Sequence, residues 1–175
     1  MSKIAAVVLA LLSLMLFATT SRAQLLPSGN VYVGASYGDL VDVIATNRYT
    51  FRGWNASVEA FPLTRHQHIG VVLDGSGFYR VGIQQYNLFI GPRLSMNYGK
   101  WRPFIQVMGG AQRMLSDNVS HYPIAEDVGG GFDRKFQFLF MHRFSWRVQF
   151  DYMHTHLLSA TQNDIRGSTG LVWRF

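Results

Sequence analysis

Two pairs of histidines, His66/His68 and His154/His156, stand two residues apart. On an extended strand residues i and i+2 point the same way, so each pair offers two imidazoles to one metal ion. Neither pair has a carboxylate on its face, and two imidazoles alone make a weak site. Interfacial histidines account for both pairs, and no metal or cofactor is expected. His154, His156 and Ser159 with Asp164 hold the residue types of a nucleophilic triad at one rim. No nucleophile elbow or recognisable spacing supports it, so no catalytic residue and no enzyme is expected. The chain has no cysteine, which removes thiol catalysis and thiolate metal ligands. The larger collection is ionic. Glu59, Asp74, Arg93, Arg102, Asp133, Lys135, Arg147, Asp151, Arg166 and Arg174 share one parity of alternating segments. Both signs are present, and an unpaired buried charge is costly. The chemistry expected is mutual neutralisation, centred on Arg147, Asp151 and Arg166. The other chemistry this set allows is a narrow ion pathway.

The elements that position these charges are clearest at the end of the chain. Phe144, Trp146, Val148, Phe150 and Tyr152 alternate with Ser145, Arg147, Gln149 and Asp151. Ile165, Thr169, Leu171, Trp173 and Phe175 then stand opposite Asp164, Arg166, Ser168 and Arg174. A period of two over ~10 residues marks a strand with two unlike faces. A water-soluble sheet also produces it. The aromatic positions decide between them: Phe144 and Trp146 open one strand, Trp173 and Phe175 close the next, and a hairpin sets the pairs side by side. Aromatic girdles with polar residues facing the other way describe transmembrane barrel strands.

The same alternation predicts strands at residues 30–38, 53–61, 66–74, 84–98, 101–113, 127–136, 144–156 and 164–175. His68 and Asp74 face inward in the third, and Pro92 marks a bulge or bend in the fourth. Gly129-Gly130-Gly131 admits a large neighbour in the sixth, whose end is poorly defined because Phe136, Phe138 and Phe140 continue the pattern. Residues 39–52, 75–83, 114–126 and 157–163 read as loops on one side, with shorter turns on the other. The prediction is an all-β, eight-stranded antiparallel up-and-down transmembrane β-barrel with long outer loops and both termini in the periplasm. Eight strands leave an interior just wide enough for side chains.

The first 23 residues read as a secretory signal: Lys3, an apolar run from Ile4 to Phe17, then Ser21-Arg22-Ala23, with cleavage after Ala23. The barrel is expected to span residues 24–175. Beyond Ala23 no apolar run approaches the ~20 residues of a membrane helix. Apolar and aromatic residues make up 48% and 14% of the chain, which a barrel presents to lipid. Without Lys3 and Arg22 the formal charge falls from +6 to +4. The surplus is spread out, which does not suggest nucleic acid; it suits lumen ion pairs and anionic headgroups.

The signal segment, the eight alternating strands and the final Leu171-Val172-Trp173-Arg174-Phe175 together resemble the small outer-membrane β-barrel proteins of Gram-negative bacteria, of the OmpA/OmpX type. Gly129-Gly130-Gly131-Phe132-Asp133 and Val148-Gln149-Phe150-Asp151-Tyr152 fit the same family. The resemblance implies an outer-membrane location, contact with membrane lipid and lipopolysaccharide, a monomer, and Trp173 and Phe175 as the signal read by the barrel-assembly machinery. It implies a non-enzymatic envelope role, structural or in loop-mediated binding such as adhesion. The alternatives are a narrow channel for ions or a small hydrophobic ligand and, behind it, a lipid A-modifying enzyme. The resemblance to OmpA covers its barrel alone, so no cell-wall anchoring is expected.

Overall fold

In the computed structural model the alternating segments become one continuous antiparallel ladder. The structure describes residues 28–41, 48–61, 68–80, 83–116, 119–137, 142–157 and 160–175. The signal segment and cleavage site lie outside these residues. The strands are β1 (Gly29–Val41), β2 (Arg48–Ala60), β3 (Ile69–Arg80), β4 (Ile83–Ser95), β5 (Trp101–Ser116), β6 (Val119–His121), β7 (Ile124–Lys135), β8 (Phe144–Leu157) and β9 (Ala160–Arg174). Consecutive strands pair except that β6 and β7 both pair with β5, and β9 pairs with β1, so the sheet closes. β6 continues the β7 register on β5: Ser116 meets Val119 and Ala111 meets Ile124. The interruption falls at Tyr122-Pro123, where proline has no N–H to donate, yet the Pro123 carbonyl still accepts from the Gln112 amide at 3.0 Å. The two segments therefore act as one of eight barrel strands.

The register fixes the barrel's dimensions. From Gly29, partners run through Ala60, Val71 and Pro92. Pairing to β5 lapses at Pro92, but Ile90–Gly109 and Arg93–Gln106 hold one register on either side. From Val107 the path runs through Val128, Tyr152 and Ile165 and returns to β1 at Asp39. One circuit thus advances ten residues, from Gly29 to Asp39. Eight strands with that stagger tilt ~40° and set a backbone radius of ~8 Å. The strand that ends the chain is sealed to the one that begins the barrel: Gly29 and Phe175 exchange backbone hydrogen bonds of 3.2 and 3.1 Å.

The two faces are inverted relative to a water-soluble protein. Arg93, Arg147 and Arg166 are fully buried, whereas Ile105, Phe150 and Val33 are about 60% exposed (63%, 64% and 60%). Trp146 and Leu171 also face outward, so no dry middle layer between two sheets exists among the described residues. Such an apolar belt is far larger than a soluble monomer exposes. Aromatic rings edge it. Tyr98, Trp101, Trp146, Trp173 and Phe175 ring the end where β1 begins and β9 finishes, here the terminal rim; Tyr37, Trp54, Tyr79 and Tyr152 ring the distal rim. The climb along β1 from Gly29, bonded to Phe175, to Tyr37 spans ~20 Å of thickness after tilt, near the height of an outer-membrane apolar band.

Several expectations change. The four expected loops are largely strand: every one of the nine strands runs into part of 39–52, 75–83, 114–126 or 157–163. Gly75 and Gly77 make 75–80 read as a loop, yet Gly77 pairs with Trp54, whose indole N–H donates to the Tyr79 hydroxyl at 3.1 Å. Pro92 produces no bulge; it removes one donor and adds no residue, so the ladder lapses without slipping. The strand expected over 127–136 starts three residues earlier, at Ile124, and ends at Lys135. The fourth strand ends at Ser95 rather than Tyr98, and Gly99, at φ 58°, turns the chain into β5.

Candidate functional site in the barrel lumen

Every second residue of each strand points into a cylinder about one side chain deep. At the terminal end Arg147 makes the fork a guanidinium makes best: Nε donates to Asp133 Oδ1 at 2.6 Å and Nη2 to Oδ2 at 3.0 Å. Arg147 Nη2 also lies 3.9 Å from Glu59 Oε2. The same Glu59 oxygen accepts from Arg93 Nη1 at 3.3 Å and Asn30 Nδ2 at 2.8 Å. Arg174 reaches Asp133 at 3.4 Å. Phe104 lies between the two central guanidinium groups, 4.3 Å from that of Arg93 and 4.7 Å from that of Arg147.

Halfway up, Arg166 gathers three carboxylates. Nε donates to Asp151 at 2.8 Å, Nη1 to Asp74 at 2.9 Å and Nη2 to Asp127 at 3.3 Å. Nη1 also donates to Ser76 Oγ at 3.0 Å. Further donors satisfy the carboxylates: Asn55 to both oxygens of Asp74, Gln149 to both of Asp151. One amide joins the halves. The Gln106 carbonyl accepts from Arg93 Nε at 2.9 Å, and its NH2 donates to Asp151 Oδ1 at 2.9 Å. The β7 glycines make room: a Cβ on Gly129 would collide with Asp151 Oδ1. Phe51, Val72, Phe78, Phe89, Met108, Ala125 and Met153 form the buried apolar cluster.

Glu59, Arg93, Asp133, Arg147, Asp151 and Arg166 therefore meet in one connected network, with Asp74 and Arg174. Arg102 lies at the terminal rim, donating from Nε and Nη2 to Ser95 Oγ at 3.1 and 2.7 Å, over the Phe61 ring. Lys135 is half-buried at the same rim. Sequence reasoning missed Asp127. The signal was present, because Asp127, Gly129, Gly131 and Asp133 share a parity, but the expected strand begins at Asp127 itself. Gln106 and Gln149 carried the right parity and no charge to mark them.

The other candidates come apart. His68 precedes β3 and is exposed, not inward, with Nδ1 3.0 Å from the Ser95 carbonyl oxygen. His66 and Ser159 lie outside the described residues. His154 pairs with Asn163 on the outer face, its Nδ1 2.6 Å from Asn163 Oδ1, whereas Asp164 is buried inside and accepts from Gln162. His154 and Asp164 thus stand on opposite sides of the wall and cannot act as base and orienting acid. Among the described residues no group of three or more His, Cys, Asp or Glu could hold a metal ion. Trp173 and Phe175 face outward beside each other, ring centres 5.6 Å apart.

A closed eight-stranded antiparallel barrel, charged within and apolar without, is the fold that the small outer-membrane β-barrels of known structure share. No family profile matches the chain, and no characterised protein matches it in sequence. Solved structures share the fold. Neisserial surface protein A superposes with a TM-score of 0.68 at 9% identity, covering 84% of this chain and 97% of that one. Ail, the attachment invasion locus protein of Yersinia pestis, gives 0.55 at 14% identity over 86% and 100%. The N-terminal β-barrel domain of Pseudomonas aeruginosa OprF gives 0.56 at 12% identity over 83% and 97%.

Proposed function

We propose that the chain is a non-enzymatic protein of the Gram-negative outer membrane that acts at its rims, presenting its distal rim to partners outside the cell. Export would use residues 1–23, with cleavage after Ala23. The assembly machinery would read Trp173 and Phe175, and the monomeric barrel of residues 24–175 would insert among lipid and lipopolysaccharide with the terminal rim in the periplasm. The carrying observation is the filled lumen. A network from Asp133 to Asp127 and an adjoining apolar cluster occupy the interior, so substrate, ligand or partner must be met elsewhere. The distal rim supports the binding role by its build. β8 continues from Tyr152 to Leu157 and β1 from Tyr37 to Val41, so the strand wall runs ~10 Å past the aromatic ring. Ail, with the same fold, is named for attachment and invasion, and a further structure holds it with the heparin analogue sucrose octasulfate.

Binding of cells displaying the protein to host-cell monolayers tests this reading, against cells displaying a barrel with the distal hairpins shortened. Equal binding overturns it. The channel reading draws on the continuous polar network, and the apolar cluster around Phe78 and Phe89 opposes it. Planar-bilayer recording separates the two, since steady ion steps would favour the channel.

A further inference from the structure

We propose that the terminal rim at β5, β7 and β8, where the outer face meets the barrel mouth, is a binding site for the headgroup of an anionic phospholipid. The site rests on the membrane reading above and gives it one specific lipid contact. At its centre Arg134 faces outward, with Trp101 as its register partner on β5 and Trp146 on β8. Its guanidinium lies 5.3 Å from the Trp101 ring centre, close enough for a cation–π contact. Phe132, two residues along the same face, meets Trp101 edge-on at 5.1 Å and Trp146 at 6.4 Å. Three aromatic rings thus form a platform at the level where headgroup meets hydrocarbon, and the cation stands at its edge.

Two more cations complete the site. The Lys135 amide donates to the Lys100 carbonyl at 2.9 Å, which carries the ladder one residue beyond the start of β5 and holds both residues beside Arg134, on the parity that faces the barrel mouth. Lys100 Nζ donates to Gln137 Oε1 at 2.8 Å. Lys100, Arg134, Lys135, Phe136, Gln137 and Trp146 line a cavity of about 460 Å³. No carboxylate lines it, and among the described residues none of the three cations forms an ion pair. Below the platform the exposed Ile105, Val107 and Val128 continue the face into the apolar belt. Three cations with no ion pair among the described residues, beside aromatic rings and above aliphatic side chains, match a molecule with phosphate at one end and acyl chains at the other. A neutral zwitterion brings its own cation and gains less from them. Lipopolysaccharide belongs to the opposite leaflet in this orientation.

The test inserts the refolded barrel into phosphatidylcholine nanodiscs containing a minor fraction of phosphatidylglycerol. Native mass spectrometry then counts retained lipid. The expected result is one preferentially retained phosphatidylglycerol. Lys100→Gln, Arg134→Gln and Lys135→Gln should each weaken that preference about fivefold, the equivalent of ~1 kcal/mol per cation near an anionic surface, and together abolish it. Arg113→Gln, which removes an exposed cation over Tyr122 near the distal rim, should leave it unchanged. Heat-modifiable gel migration reports that each variant is folded. Equal retention of the two lipids, an equal loss with Arg113→Gln, or full displacement by millimolar inorganic phosphate would overturn the site. Failure of the wild-type barrel to insert into phosphatidylcholine at all would instead overturn the membrane reading.

Discussion

Replacing Arg166 by methionine tests the lumen network at its most connected point. The guanidinium contacts Asp74, Asp127 and Asp151, all three at most 3% exposed. Methionine fills much of the volume and removes the charge, so the loss is electrostatic rather than a large cavity. Removing one partner of a buried ion pair costs about 3–5 kcal/mol, because the other charge stays buried without compensation. Here three carboxylates lose their common cation. Asn55 still donates to Asp74 and Gln149 to Asp151, while Asp127 keeps the weakest set. The expected loss is therefore at the top of that range, about 5 kcal/mol.

Urea titration of the barrel in detergent micelles measures it, with the folded fraction read from heat-modifiable migration. The decisive comparison is a double-mutant cycle with Asp151→Asn, which removes one uncompensated charge and keeps the shape. Asp151→Asn should destabilise the wild type yet recover ~1–3 kcal/mol in the Arg166→Met background, the coupling expected of contacting charges. A midpoint for Arg166→Met corresponding to less than ~1 kcal/mol of loss, or no recovery in the double variant, would refute the claim that charge pairing holds the lumen together.

Other outcomes follow from the same packing. Phe89→Ala opens a cavity in the apolar cluster and should lower stability by about 3–5 kcal/mol in the same titration. Gly129→Val drives a side chain into the space held by the Asp151 carboxylate. It should cost about 1–3 kcal/mol, reduced when Asp151→Ala is added. Raising salt from about 0.1 M to about 1 M should shift the wild-type midpoint little through the ion pairs, because screening acts on solvent-exposed charges. Removing Phe175 should lower the amount of barrel assembled in cells far more than the refolding yield in micelles, which separates a signal read by machinery from a residue needed for packing.

The faces of the strands were legible because alternation states which side chains point inward whatever their partners. That is why Glu59, Arg93, Arg147 and Arg166 could be assigned to the lumen from sequence. Partnership was not legible. Arg166 meets Asp74 across 92 residues, and only the ten-residue stagger places β3 and β9 at heights where they touch. The distal extensions failed for a different reason. Glycine and serine at 75–77 look like a loop by propensity, but a closed ladder holds them extended through the partners on either side. Proline misled in the opposite direction: in the ladder Pro92 is one missing donor, not a change of register. The cationic cluster at the terminal rim was invisible as well, since Lys100, Arg134 and Lys135 read as separate surface charges until β5 and β7 are paired.

The orientation of one side chain makes the interior a unit. Gln106 turns its carbonyl to Arg93 and its amide to Asp151; the reverse would aim donors at a guanidinium and a carbonyl at a carboxylate. Its neighbours therefore fix its flip, and through it the terminal ion pairs and the Arg166 cluster constrain each other. Passage of even a small ion would require parting Arg147 from Asp133 or Arg166 from its carboxylates and then crossing a layer containing Phe78, Phe89 and Met153. Each of those steps opposes buried charge pairing or apolar packing in a cylinder of ~8 Å radius with no slack to rearrange. An interior so coupled holds the wall apart from within, which agrees with the proposal that binding takes place at the rims rather than in the lumen.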